Sequence, residues 1–499
     1  MKQGDVCKAK ADVLIVGHLQ DGGKRLGGAL AAVDVALEGE IKAAIDAEEF
    51  TGLFGTTLHV RSVGRLGVRH VIVVGEGARK ELTIERVRQA FATGVKAAVA
   101  LKTSSVVCVA IGSGRGGQGA YDIVQAITEA TLLTSYTFHT WKKEKPHKTR
   151  LKRCTIWEIN GAAMRKSEGA IGRGLTYAKA AVLARDLVNE TPSEMSPEEL
   201  KHVAERIAAE NKRIKLRVLN RTQAEKEGMR AFLAVAAGSQ KEPYVVHMHY
   251  TPKTKAKKSI ALVGKAITFD SGGLSLKPAE AMMIMKCDMA GAAAVLGVFS
   301  ALVDLEPIIE LHGIFAACEN MPSGSAYRPG DIIRSRSGHG IEILNTDAEG
   351  RVTLADALSY ASDLKPDMMI DLATLTGACM IALGEEITGL MTDHDALAAK
   401  LLKSAHEAGE PMWRLPLYAN YEKLMDSPVA DIRNITASRW AGALTAGLFL
   451  KKFVDKSIPW AHLDIAGPAY AEREYTPYIP YGGTGAGVRT LLHFIQSIR

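Results

Sequence analysis

Apolar and polar positions alternate with period two at 12–16, 57–60, 68–74, 105–111 and 153–159, and with helical period at 28–45, 84–98 and 121–133. Period two puts one face of a strand on a core, and the 3.6 period does the same for a helix. Residues 1–160 therefore predict a small α/β domain. A long helical pattern over 161–188 follows, and Pro192 disfavours helix in the residue before it. This stretch reads as a linker helix. From 189 to 499 the alternation resumes, with strands at 215–219, 259–263, 308–316, 340–344, 368–372 and 460–465. Helices fall at 196–210, 290–303, 354–362 and 395–408. The pattern thus predicts an α/β protein of two domains, the C-terminal one larger.

Three of the later strands run into polar, glycine-containing segments: 264–273, 345–351 and 373–377. In open α/β sheets ligands bind beyond the carboxyl ends of strands, so these segments point to one crevice.

Composition adds limits. At 499 residues the chain exceeds one compact core, and 47% hydrophobic with 23% charged residues is ordinary for a globular protein. The N-terminal apolar run is too short for a signal-peptide core, and the nearly uncharged stretch 289–303 is shorter than the roughly 20 residues of a membrane span. The expectation is a soluble, cytoplasmic protein. Six cysteines without paired spacing read as reduced, mostly buried thiols. The net charge of +7 is concentrated. Seven Lys/Arg against Glu144 within 141–153 give a local +6, which leaves +1 for all the rest. A solvated loop and a phosphate-binding patch both fit such a run.

Asp347 and Glu349 lie two apart, so in extended chain both carboxylates converge on one cation, with Gly350 permitting a turn and Arg351 beside them. An acidic loop paired with its own arginine is the bland alternative. Asp288 heads an otherwise apolar helix, and a buried carboxylate there needs a cation or several donors. Lys286 does not face it. A helix-dipole role is the alternative for this residue. Lys265 and Asp270 bracket the turn after 263, and Lys277 follows. Carboxylates without histidine suit hard or borderline divalent metals such as Mn2+, Mg2+ or Zn2+. None of the 14 histidines falls in an HExxH or Cys/His cluster, which argues against a zincin. Gly112–Gly117 matches GxGxxG after a strand. The only acidic residue of the next strand, Glu158, lies too far on for a dinucleotide site, so a tight turn is the better reading.

The segments NTDAEGR (345–351), GKAITFDSGG (264–273), Lys277-Pro278 and MKCDMAGAAAV (285–295) together resemble the cytosolic leucine aminopeptidases. So do DLATLTGA (371–378) and Asp464-Ile465-Ala466-Gly467. The resemblance covers 185–499 specifically and 1–160 in pattern only. It implies a macro-like N-terminal domain and a catalytic domain with a central mixed sheet. It also implies a homohexamer that removes leucine or other apolar N-terminal residues from short peptides. One metal would be held by Lys265, Asp270, Asp288 and Glu349, and a second by Asp270, Asp347 and Glu349. Water between them would be acidified to hydroxide. The resemblance further gives Lys277 the developing oxyanion, and Arg351 a bicarbonate that shuttles the proton. Met285, Thr374, Gly377 and Ala466 would form the apolar specificity pocket, and Leu375 a backbone contact to substrate. Met283 departs from an acidic residue usual in the family, and Ala290 from a Gly or Cys. These departures bear on the pocket edge. The alternative is a DNA-binding regulatory protein on the same scaffold, using the basic run 141–153.

Overall fold

The computed structural model describes residues 1–23, 25–112, 117–143, 151–158 and 160–498. The chain forms two compact units, Met1–Lys179 with Glu474–Pro480, and Ala180–Arg473 with Tyr481–Arg499. The division falls inside the helix Ala170–Asn189, and a short return segment joins the first unit. The pattern predicted over 161–188 is two helices, Gly161–Lys166 and Ala170–Asn189, interrupted at Gly169 with its positive φ.

The first unit holds a six-stranded sheet in the order Lys2–Gln3, Arg153–Glu158, Ser105–Val109, Ala11–Leu19, Val68–Gly77, Thr57–Arg61. All its pairings are parallel except the last. The helix expected at 28–45 is two, Gly28–Ala36 and Glu40–Ala47, because Gly39 takes φ 86° between them. Residues 113–116 of the glycine-rich turn and 144–150 of the basic run lie outside the described residues.

The second unit carries the mixed sheet. Its strands, labelled here in chain order, are β1 (Ile214–Leu219), β2 (Tyr244–Tyr250), β3 (Ser259–Asp270), β4 (Glu310–Asn320), β5 (Met368–Ala373), β6 (Thr388–Met391), β7 (Met412–Leu415) and β8 (Trp460–Asp464). Their order across the sheet is β7-β6-β8-β5-β3-β4-β2-β1. The four central strands β8, β5, β3 and β4 are parallel, and β2 and β6 flank them antiparallel. β3 and β4 are apolar on both faces and almost wholly buried, as central parallel strands must be. Helix α1 (Ala290–Ser300) packs so closely across β3 and β5 that a Cβ on Gly291 would lie 2.1 Å from the Leu372 carbonyl oxygen of β5 and 2.7 Å from the Lys265 amide nitrogen of β3. Helix α2 (Glu349–Asp363) packs against β3 and β4. The stretch 279–305 is long and apolar enough for a membrane span, yet 78% of its most apolar window is buried in the fold and it breaks into short helices. It is core.

Candidate metal centre

The carboxyl end of β3 supplies the first two residues. Lys265 and Asp270 are 4% and 2% exposed. Lys265 Nζ lies 2.7 Å from Asp288 Oδ1, 2.9 Å from Glu349 Oε1 and 3.0 Å from the Thr374 carbonyl oxygen. Glu349 opens α2, and the glycine that follows it leaves room for the Lys265 side chain. A Cβ there would fall 2.3 Å from Lys265 Cε. Asp347 and Glu349 do converge, but not by the strand alternation expected: Asp347 sits in a turn and Glu349 is already helical. Asp270, Asp347 and Glu349 each bring a carboxylate oxygen within 4.8 Å of the others.

Asp288 follows a 3-10 turn, Met285–Cys287, rather than heading α1 directly. Its Oδ1 accepts from Lys265 Nζ and from Thr374 Oγ1 at 2.7 Å. So the partner of this buried carboxylate is Lys265, while Lys286 donates to the Asn189 carbonyl. Asp288 Oδ2 and Glu349 Oε2 are buried without a hydrogen bond. Lys277 Nζ bridges Asp270 Oδ2 at 3.0 Å and Asp347 Oδ1 at 2.7 Å.

The electrostatics follow from burial. Four carboxylates face two ammonium groups, so the pocket is short of positive charge. Burial, with Glu349 nearby, pushes Asp270 up to about 6; burial also pushes Asp288 well above, and Asp347 above, the usual carboxylate range. Burial pulls Lys265 and Lys277 down, but the carboxylates outweigh it and hold both ammonium groups above the usual lysine range. Carboxylates strained toward protonation, with two orphaned oxygens, are a donor set that divalent cations satisfy. The residues fit the metals that the sequence predicted.

Arg351 donates from Nη1 to the Asn434 carbonyl at 3.0 Å, while its buried Nε has no hydrogen-bond partner. Burial lowers it to about 10, against Glu349 and Asp464. Thr374, Leu375 and Gly377 follow β5, and Ala466 follows β8. Asp464, at the end of β8, binds the backbone N–H groups of Leu375 and Ala466 and the Thr376 hydroxyl. A Cβ on exposed Gly377 would meet nothing within 4 Å. Met285 is half-buried, and Met283 is 76% exposed.

Three supporting residues were given no role in the sequence reading. Asn320 ends β4 in register with Asp270 and donates to Asp270 Oδ1 and the Thr346 carbonyl. Asn434 receives the Leu344 amide and donates to the Asn345 carbonyl. Asp464 was visible only as part of a motif. Strand register, which links Asn320 to Asp270, has no signature in a single sequence.

Fold and site together give the class first. The chain superimposes on a leucine aminopeptidase mutant from tomato with a TM-score of 0.89 at 34% identity, covering 99% of this chain and 95% of that one. The bottromycin maturation enzyme BotP in complex with Mn matches with a TM-score of 0.85 at 33% identity, over 98% and 99% of the two chains. This is the two-domain α/β architecture of aminopeptidases. The particular family follows from sequence. Residues 182–492 match the catalytic domain, and 15–145 the N-terminal domain, of the cytosol aminopeptidase family. Proteins named probable cytosol aminopeptidase in Persephonella marina and Aquifex aeolicus are 42% and 43% identical over 93% and 94% of this chain, and 92% and 93% of theirs. The chain belongs to the cytosol aminopeptidase family and is a peptidase, hydrolysing peptide bonds.

Proposed function

We propose that the chain is a metal-dependent aminopeptidase that removes leucine and other apolar residues from the N-termini of short peptides. The observation that carries this reading is the convergence of Asp270, Asp347 and Glu349 within 4.8 Å, beside Asp288 and Lys265. Those five residues would hold two divalent cations, Mn2+ or Zn2+ with Mg2+ as a further candidate. The cations would supply Lewis acidity, an activated water and an anchor for the substrate's free α-amine.

The chain's own residues do the rest. Lys277, kept charged by Asp270 and Asp347, faces the same carboxylates and would stabilise the oxyanion that develops on the scissile carbonyl. Arg351, with a free Nε and a guanidinium held by Asn434, would hold the bicarbonate that the resemblance implies. Thr374, fixed by its hydroxyl on Asp288, would line the apolar pocket with Met285, Gly377 and Ala466. Leu375 would meet the substrate backbone from a loop that Asp464 pins. A homohexamer and a cytoplasmic location belong to the same reading. The DNA-binding alternative has no support in the relatives described above.

The test is release of leucine from a chromogenic leucyl amide by metal-loaded protein. Turnover should vanish with EDTA, return with Mn2+ or Zn2+, and be absent in Glu349→Ala. Full turnover by well-folded Glu349→Ala would refute the ligand assignment.

A further inference from the structure

A second cluster lies at the opposite end of the same sheet. His249 on β2 and His312 on β4 are register partners, and Glu310 stands two residues from His312 on the same face. Glu310 pairs with Ser259 at the start of β3, whereas Asn320 pairs with Asp270 at its end. The cluster is therefore roughly 30 Å along the strands from the catalytic carboxylates. The His249 and His312 rings stack at 4.5 Å with 15° between their planes. That stack turns both Nε2 atoms toward one carboxylate oxygen: His249 Nε2 lies 2.5 Å, and His312 Nε2 3.9 Å, from Glu310 Oε1. One ligand atom from each of the three residues falls within 4.8 Å of the others.

The ring of His312 is also held from behind. Its Nδ1 lies 3.0 Å from His247 Nε2, and His247 Nδ1 lies 3.1 Å from the Tyr360 hydroxyl. When His312 donates from Nδ1 to His247, and His247 from Nδ1 to the tyrosine oxygen, the Nε2 lone pair of His312 is directed at Glu310. Such outer partners orient the imidazoles of metal sites. Arg217 donates from Nη1 to the same Tyr360 oxygen at 3.1 Å and from Nη2 to Glu227 at 2.6 Å. His312 is 8% exposed, while His249 and Glu310 are about a third exposed, which leaves an entry path and a position for water.

We propose that His249, His312 and Glu310 form a separate site for a borderline transition-metal dication such as Zn2+, with His247 as a positioning residue. Two imidazoles and a carboxylate with one open position match the preference of Zn2+. The site uses none of the residues assigned to catalysis, so its fate is independent of the peptidase mechanism.

The discriminating property is chemical: the proposed catalytic ligands include no histidine. The experiment loads full-length Asp347→Asn/Glu349→Gln protein with Zn2+ and records metal content and zinc X-ray absorption. Expected are bound Zn2+ and imidazole scattering, with zinc–nitrogen distances of about 2.0–2.1 Å. On that background His249→Ala and Glu310→Gln should each raise the half-saturating Zn2+ concentration at least about tenfold, and His247→Gln about tenfold. In the otherwise wild-type protein His249→Ala should leave leucyl amide turnover unchanged. Absence of imidazole scattering, or unchanged Zn2+ affinity in folded His249→Ala and Glu310→Gln, would overturn the site.

Discussion

Lys277 touches Asp270 and Asp347 together, and this double contact decides what its removal does. If its ammonium stabilises the oxyanion, Lys277→Ala should lower kcat by about 10²–10³. KM should move little, and metal content should be retained. Steady-state kinetics with elemental analysis check this; a change confined to KM would assign Lys277 to binding. Asp347, Glu349 and Arg351 were legible because they crowd one short segment, and Asp288 because a carboxylate amid apolar neighbours demands a reason. Two features were legible only in part. Lys265 and Asp288 were brought together only by the resemblance, because their pair joins β3 to the residue after a 3-10 turn. Asp347 and Glu349 were expected to converge by strand alternation, whereas a turn entering a helix brings them together. Both depend on tertiary geometry rather than on a repeating pattern.

Among elements, α2 joins the two sites. Glu349 opens it and Tyr360, roughly 16 Å along, supports His247. Midway, the buried Asp356 accepts from the amides of Phe232 and Arg336. Burial nonetheless raises it to about 7. A carboxyl whose folded pKa lies above its unfolded value of about 3.9 binds protons more tightly when folded. Its contribution to stability is therefore full below pH ~4 and lost as pH rises through about 7. Thermal melts of wild type and Asp356→Asn should show the wild type losing ground to the variant across that window. A difference independent of pH would contradict the buried-carboxyl argument. The central strands were read from their apolar runs, yet β3 continues to Asp270 because Lys265 and Asp270 are strand residues turned into a site. β2 was missed although Val246, Met248 and Tyr250 alternate with His247 and His249, which is the period of a half-buried strand. Those same histidines, on the polar face of that alternation, belong to the second cluster.

For the whole molecule, two α/β units match two family domains, and the mixed sheet lies in the second, as the resemblance implied. The sequence left the division imprecise because contacts, not periodicity, assign Glu474–Pro480 to the first unit. Oligomeric state follows only from resemblance. Light scattering should give about six chains per particle, and a monomer would remove the hexamer from the account. The central claim is the location of two cations. Anomalous diffraction from Mn2+-loaded crystals tests it most directly. It should show two peaks among Lys265, Asp270, Asp288, Asp347 and Glu349, with Asp270 and Glu349 adjoining both. An active enzyme with no peak among those residues would contradict it.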